Sequence, residues 1–107
     1  MSPSFHGEFE QLVLLAILRL RADAYGTPIR HEIEDCTGRS VTVGALYSAL
    51  ERLERKGFLR AELGDPTPQR GGRAKRHFKV LPAGLAELRR ARRALARMWD
   101  GLEPERR

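Results

Sequence analysis

The stretch Thr42-Val43-Gly44-Ala45-Leu46-Tyr47-Ser48-Ala49-Leu50-Glu51-Arg52-Leu53-Glu54-Arg55-Lys56-Gly57 reads as one amphipathic helix, bounded by a start signal and a stop signal. Thr42 is the expected N-cap, because its side-chain oxygen can accept a backbone N–H of the first turn, and Gly57 is the expected terminator. Val43, Leu46, Leu50 and Leu53 recur at steps of three, four and three, which predicts that all four face a core. The opposite face holds Gly44, Ala45, Ser48, Glu51, Arg52 and Arg55, small at its start and basic towards its end, with Tyr47 on the flank.

Upstream, only Arg39-Ser40-Val41-Thr42 separates this helix from another, expected over Tyr25 to Thr37. Tyr25, Ile29, Ile33 and Cys36 form its apolar stripe, Thr27 its expected N-cap, Pro28 a first-turn residue and Gly38 the residue that ends it. On that stripe Cys36 is expected to be a buried small hydrophobe. Before it, Gly7 to Arg21 predicts a helix whose centre, Leu12-Val13-Leu14-Leu15-Ala16-Ile17-Leu18, is apolar all round. So small a chain can hardly cover such a helix alone, and a second copy would.

Downstream, Phe58 to Leu63 and Lys75 to Leu81 read as two strands joined by a loop rich in Gly and Pro. From Arg70 to Lys79 this hairpin carries Arg70, Arg73, Lys75, Arg76 and Lys79 and no carboxylate. A last helix is expected from Pro82 to Leu102, where Leu88, Ala91, Leu95, Met98 and Leu102 alternate steps of three and four like a heptad seam.

The chain has 107 residues, room for one domain, and 20 Lys or Arg against 14 Asp or Glu give it a net charge of +6. This balance favours a polyanionic partner. No apolar run approaches the length of a membrane span, and the N-terminus has no secretory pattern, so a cytoplasmic protein with no membrane partner is expected. A single cysteine excludes an intrachain disulfide, and His6, His31 and His77 lack metal-ligand spacing. Gly71-Gly72-Arg73 lacks the Lys-Ser/Thr ending of a phosphate loop. No nucleophile, base and orienter stand together, so neither an enzyme nor a cofactor is expected.

The order helix, helix, helix, hairpin, helix is that of a winged helix-turn-helix with an appended helix, a mainly α fold with a small β-hairpin. Its division would be a DNA-binding domain over residues 1–81 and a dimerisation helix with its tail over residues 82–107. In such folds the start of the second helix of the motif enters the major groove. The expected contacts to double-stranded DNA are Thr42, Gly44, Ala45, Tyr47, Ser48, Arg52 and Lys56 on that helix. Arg70, Gly72, Arg73, Lys75 and Arg76 would follow in the wing, where Arg73 or Arg76 can enter a minor groove. Glu51 and Glu54 run against phosphate contact, and the i, i+4 spacing predicts a Glu51–Arg55 pair. The expected homodimer interface is Leu12, Leu15, Leu88, Ala91, Leu95, Met98, Trp99 and Leu102.

Several segments together resemble the PadR family of bacterial transcriptional regulators. They are Glu10 to Leu18, Ala24-Tyr25-Gly26, Gly44-Ala45-Leu46-Tyr47 through Leu50 to Gly57, and Gly71-Gly72-Arg73-Ala74-Lys75-Arg76. The resemblance implies a homodimeric winged-helix regulator, usually a repressor, whose C-terminal helix forms the dimer. It also marks a departure: Leu81 stands where the family usually has Thr before Pro-Ala-Gly, which weakens a helix cap by about 1 kcal/mol. Two readings of Trp99 stand side by side. In one it packs the dimer; in the other, paired tryptophans line an apolar pocket and stack a flat aromatic effector that releases the DNA. The rival to the whole reading is a winged-helix module that binds protein instead of DNA.

Overall fold

In a computed structural model of the chain, the structure describes residues 7–64 and 75–102. The elements run α1 (Glu8–Leu20), a 3-10 turn (Arg21–Asp23), α2 (Gly26–Thr37), α3 (Val43–Arg55), β1 (Leu59–Leu63), β2 (Arg76–Val80) and α4 (Pro82–Trp99). This is the mainly α architecture with one antiparallel hairpin that the hydrophobic periods predict. No helix among the described residues is long and apolar enough to cross a membrane.

The core is built where three helices and the hairpin converge. Val13, Leu14 and Ile17 from α1 meet Ile29 and Ile33 from α2, Leu46, Leu50 and Leu53 from α3, and Leu59 and Phe78 from the strands. The strands pair from Leu59 with Val80 to Leu63 with Arg76, and Gly64 N–H adds a rung to the Lys75 carbonyl at 2.7 Å. On its other edge β2 is tied by Phe78 N–H to the Ala24 carbonyl, 2.8 Å away. The hairpin is thereby anchored to the connection between α1 and α2.

Several local expectations change. Helix α2 starts with Tyr25 in the extended cap position, so Thr27 is inside the first turn and does not cap it. Gly38 ends the helix at φ 77°, its N–H on the Glu34 carbonyl at 2.8 Å. Cys36 is exposed, not buried, because the last turn of α2 runs past the cover of the core; its Sγ lies 3.7 Å from Glu32 Oε2. Thr42 caps α3 as expected, accepting Ala45 N–H at 3.0 Å. Val43, however, is 54% exposed, and Ala49 takes the fourth core position. The buried arc of α3 is centred between Leu46 and Leu53, which leaves Val43 on its edge at the open tip of the helix.

Helix α4 opens on Leu81, which provides no side-chain cap. Backbone packing stands in for it: Leu81 N–H donates to the Phe58 carbonyl at 2.9 Å, and Gly84 lies directly over that same carbonyl. A Cβ on Gly84 would collide with the Phe58 oxygen. Leu88 and Ala91 are buried against the chain's own body, whereas Leu95, Met98 and Trp99 are exposed. The helix ends at Trp99, short of the expected Leu102, with Asp100 in a non-helical conformation and Gly101 at φ 82°. Gly84→Ala is expected to destabilise the chain by about 1–3 kcal/mol, read as a lower urea midpoint; an unchanged midpoint would contradict this contact.

Candidate nucleic-acid interface

The turn that presents α3 is held by two side chains of α2. Arg30 Nε donates to the Val41 carbonyl at 3.1 Å, and Val41 N–H donates to Glu34 Oε2 at 2.9 Å. Both backbone groups of one buried residue are thus satisfied from the preceding helix, which fixes where α3 begins. Arg39, in the same turn, pairs with Glu8 at 3.3 Å and stacks on the Phe9 ring at 5.3 Å, binding the turn to α1. Along the other edge of α1, Arg19 donates to Glu32 of α2, and this hydrogen bond holds the Glu32 carboxyl below the usual carboxylate range.

A second clamp sets the rotation of α3. Glu10 of α1 is the one buried charged residue among the described residues. Its carboxylate accepts Arg52 Nε at 2.7 Å and lies 3.3 Å from Lys56 Nζ, so two cations one turn apart on α3 close on it. Both cations keep part of their surface in solvent, so Glu10 is neutralised without either becoming isolated.

The site residues expected from the sequence fall into three groups. Thr42, Gly44, Ala45 and Ser48 are exposed on the outer side of α3, as a groove-entering helix requires. Arg52 and Lys56 are on the same helix but are engaged by Glu10. Tyr47, expected to reach base edges, instead lays its hydroxyl against Gly26, where a Cβ would collide with it. The ring is a spacer between α3 and the start of α2, and this close approach accounts for glycine after Tyr25. Arg70, Gly72 and Arg73 lie outside the described residues.

At the base of the wing, Lys75 Nζ stands 4.1 Å over the Tyr25 ring, which itself tilts on His77 at 5.2 Å. Arg76 reaches Glu54 of α3 at 3.4 Å and covers Phe78 at 5.4 Å. An open cleft of about 350 Å³ runs between α3 and β2, lined by Gly44, Tyr47, Ser48, Glu51, Glu54 and Arg76. Glu51 does not pair with Arg55 as its spacing predicts; the hairpin brings Arg76 to Glu54 instead.

Sequence reasoning missed Glu10, Gly26, Arg30 and Glu34. For Glu10 a signal existed: it shares the stripe of Val13, Leu14 and Ile17 at helical spacing, and a carboxylate on a core stripe needs a cation. Arg30 and Glu34 carry no such signal, because their partner is the backbone of Val41 in the following turn.

The model of the transcriptional regulator PadR-like family matches residues 14–90, from α1 into α4, which is well over half of the chain. The chain belongs to this family. Its fold is that of solved family members. A PadR family transcriptional regulator from Eggerthella lenta is 27% identical, with 89% of this chain and 82% of that one covered and a TM-score of 0.68. A PadR-like transcription factor from Bacteroides fragilis is 22% identical over 84% and 82%, TM-score 0.69. A PadR family regulator from Clostridium difficile is 20% identical over 88% and 96%, TM-score 0.67. No curated protein matches the sequence. As a PadR-type chain it is a winged-helix, DNA-binding transcriptional regulator.

Glu10→Gln removes the charge that holds Arg52 and Lys56. It is expected to lower stability by about 1–2 kcal/mol while strengthening binding to arbitrary duplex DNA at low salt, because two cations are released towards phosphates. Unchanged stability together with unchanged DNA affinity would show that the carboxylate restrains neither cation.

Proposed function

We propose that the chain is a homodimeric repressor that binds a pseudo-palindromic operator, placing the start of α3 in the major groove and the hairpin along the neighbouring backbone. The observation that carries this reading is the exposed, small-residue tip of α3 beside the basic base of the wing. Thr42, Gly44, Ala45 and Ser48 would approach bases, while Lys75, Arg76 and the loop residues Arg70, Gly72 and Arg73 would follow the phosphates. Repression is what the family resemblance implies, and a DNA target places the protein in the cytoplasm.

Dimerisation is supported by a separate surface. Leu15 and Leu18 of α1 remain exposed beside Leu95 of α4, and with Leu85 and Leu88 they line a groove of about 350 Å³. Met98, Trp99 and Leu102 extend the apolar strip. Leu12 is partly covered by the core, and Leu88 and Ala91 are buried within the protomer, so the interface would be carried by Leu15 and the later residues of the expected set. With the division at residue 81, the dimer would use α4 chiefly through its exposed residues after Ala91. Trp99 would pack across the two-fold axis; its 55% exposure also suits a flat aromatic effector stacked there, the second reading of this residue. Glu51 and Glu54 on the outer side of α3 are what favour a protein-binding module, and DNA binding separates the two.

Arg73→Ala with Arg76→Ala is expected to flatten the dependence of log affinity on log salt by about 1.8 per subunit bound; an unchanged slope would remove the wing from the interface. Leu95→Glu with Met98→Glu is expected to give folded monomers in sedimentation, with weakened DNA binding, whereas a surviving dimer would contradict the assigned strip.

A further inference from the structure

We infer that the tip of α3 reads thymine methyl groups in the operator, with Val43 the residue that sets this preference. This rests on the DNA-binding reading above and deepens it. Val43 is the first residue of α3, immediately after the Thr42 cap, and it stands 54% exposed although its spacing would suit a core position. More than half of its surface is open to solvent and it lies outside the buried core of the described residues, and a β-branched residue is no particular asset to the start of a helix. Its neighbours continue the pattern: Gly44 and Ala45 are exposed and apolar, so the leading turn offers methyl groups and bare backbone.

The base-edge groups that this surface can match are few. Guanine is read best by the paired donors of Arg or Lys, and neither occurs between Val43 and Glu51. The first cation along the helix, Arg52, lies more than two turns from the tip and is turned towards Glu10 at 2.7 Å. The one base-edge group in the major groove that is apolar is the C5 methyl of thymine, and small aliphatic side chains are its complement. Close approach of the helix is permitted by Gly44, around whose Cβ position nothing lies within 4 Å. The tip therefore favours thymine where it meets the half-site, and Ser48, one turn on, adds a hydroxyl that accepts any base edge.

The test uses duplexes selected from a random pool by the full-length protein. The recovered half-sites are expected to carry thymines at the positions facing the helix tip. Replacing each such thymine by deoxyuridine, which removes only the methyl, is expected to weaken binding roughly fourfold for the methyl that Val43 covers. In the Val43→Ser variant, a change at a more than half-exposed helix-end position whose folding is checked by an unchanged urea midpoint, that loss is expected to disappear. Guanine at the tip positions, indifference of the wild-type protein to deoxyuridine, or an unchanged deoxyuridine effect in Val43→Ser would each overturn the inference while leaving DNA binding intact. A pool that yields no enriched motif would instead overturn the functional reading beneath it, and this inference with it.

Discussion

A single buried carboxylate fixes how α3 sits on α1. Glu10 is on the core side of α1, where an unpaired charge would be strongly unfavourable, and it is tolerated because Arg52 and Lys56 reach it from α3. Leucine packing would hold α3 against α1 over a range of rotations and slides. The charge pair selects one of them, since only one face of α3 carries both cations. Which residues of α3 turn outward, and hence which can meet a base edge, follows from that selection.

The Val41 clamp supplies the complementary restraint. With its carbonyl held by Arg30 and its N–H by Glu34, the start of α3 cannot drift along α2. Tyr47 over Gly26 fills the remaining space between those helices. Three contacts from two elements thus hold the tip, and on the proposed reading such preorganisation would make base contacts selective rather than merely adhesive. The apolar strip of Leu15, Leu18, Leu95 and Met98 belongs to α1 and α4 and leaves the tip clear.

Much of this was legible in the sequence, for identifiable reasons. Periodicity placed the three core helices because each buries a stripe, and Thr42 and Gly57 marked α3 because caps are local chemistry. The paired strands were readable from their flanking turn residues. Errors arose wherever a residue's surroundings come from distant chain. Val43 and Cys36 fit their stripes by angle, but each lies at a helix end that the other described elements leave exposed. Leu88 shares the spacing of the exposed Leu95 yet is buried within the protomer, a difference that spacing does not reveal. Arg52 looked free for the same reason: its partner is 42 residues away.

Assignment of the DNA-binding face to the tip of α3 and the wing is tested most directly by following backbone amide NMR signals while a selected operator duplex is added. The largest shifts are expected on Thr42 to Ser48 and Lys75 to Lys79, with the exposed side of α1 and the end of α4 little changed. Shifts concentrated on Leu15, Leu18 and Leu95 to Trp99, with α3 and the wing unmoved, would contradict it.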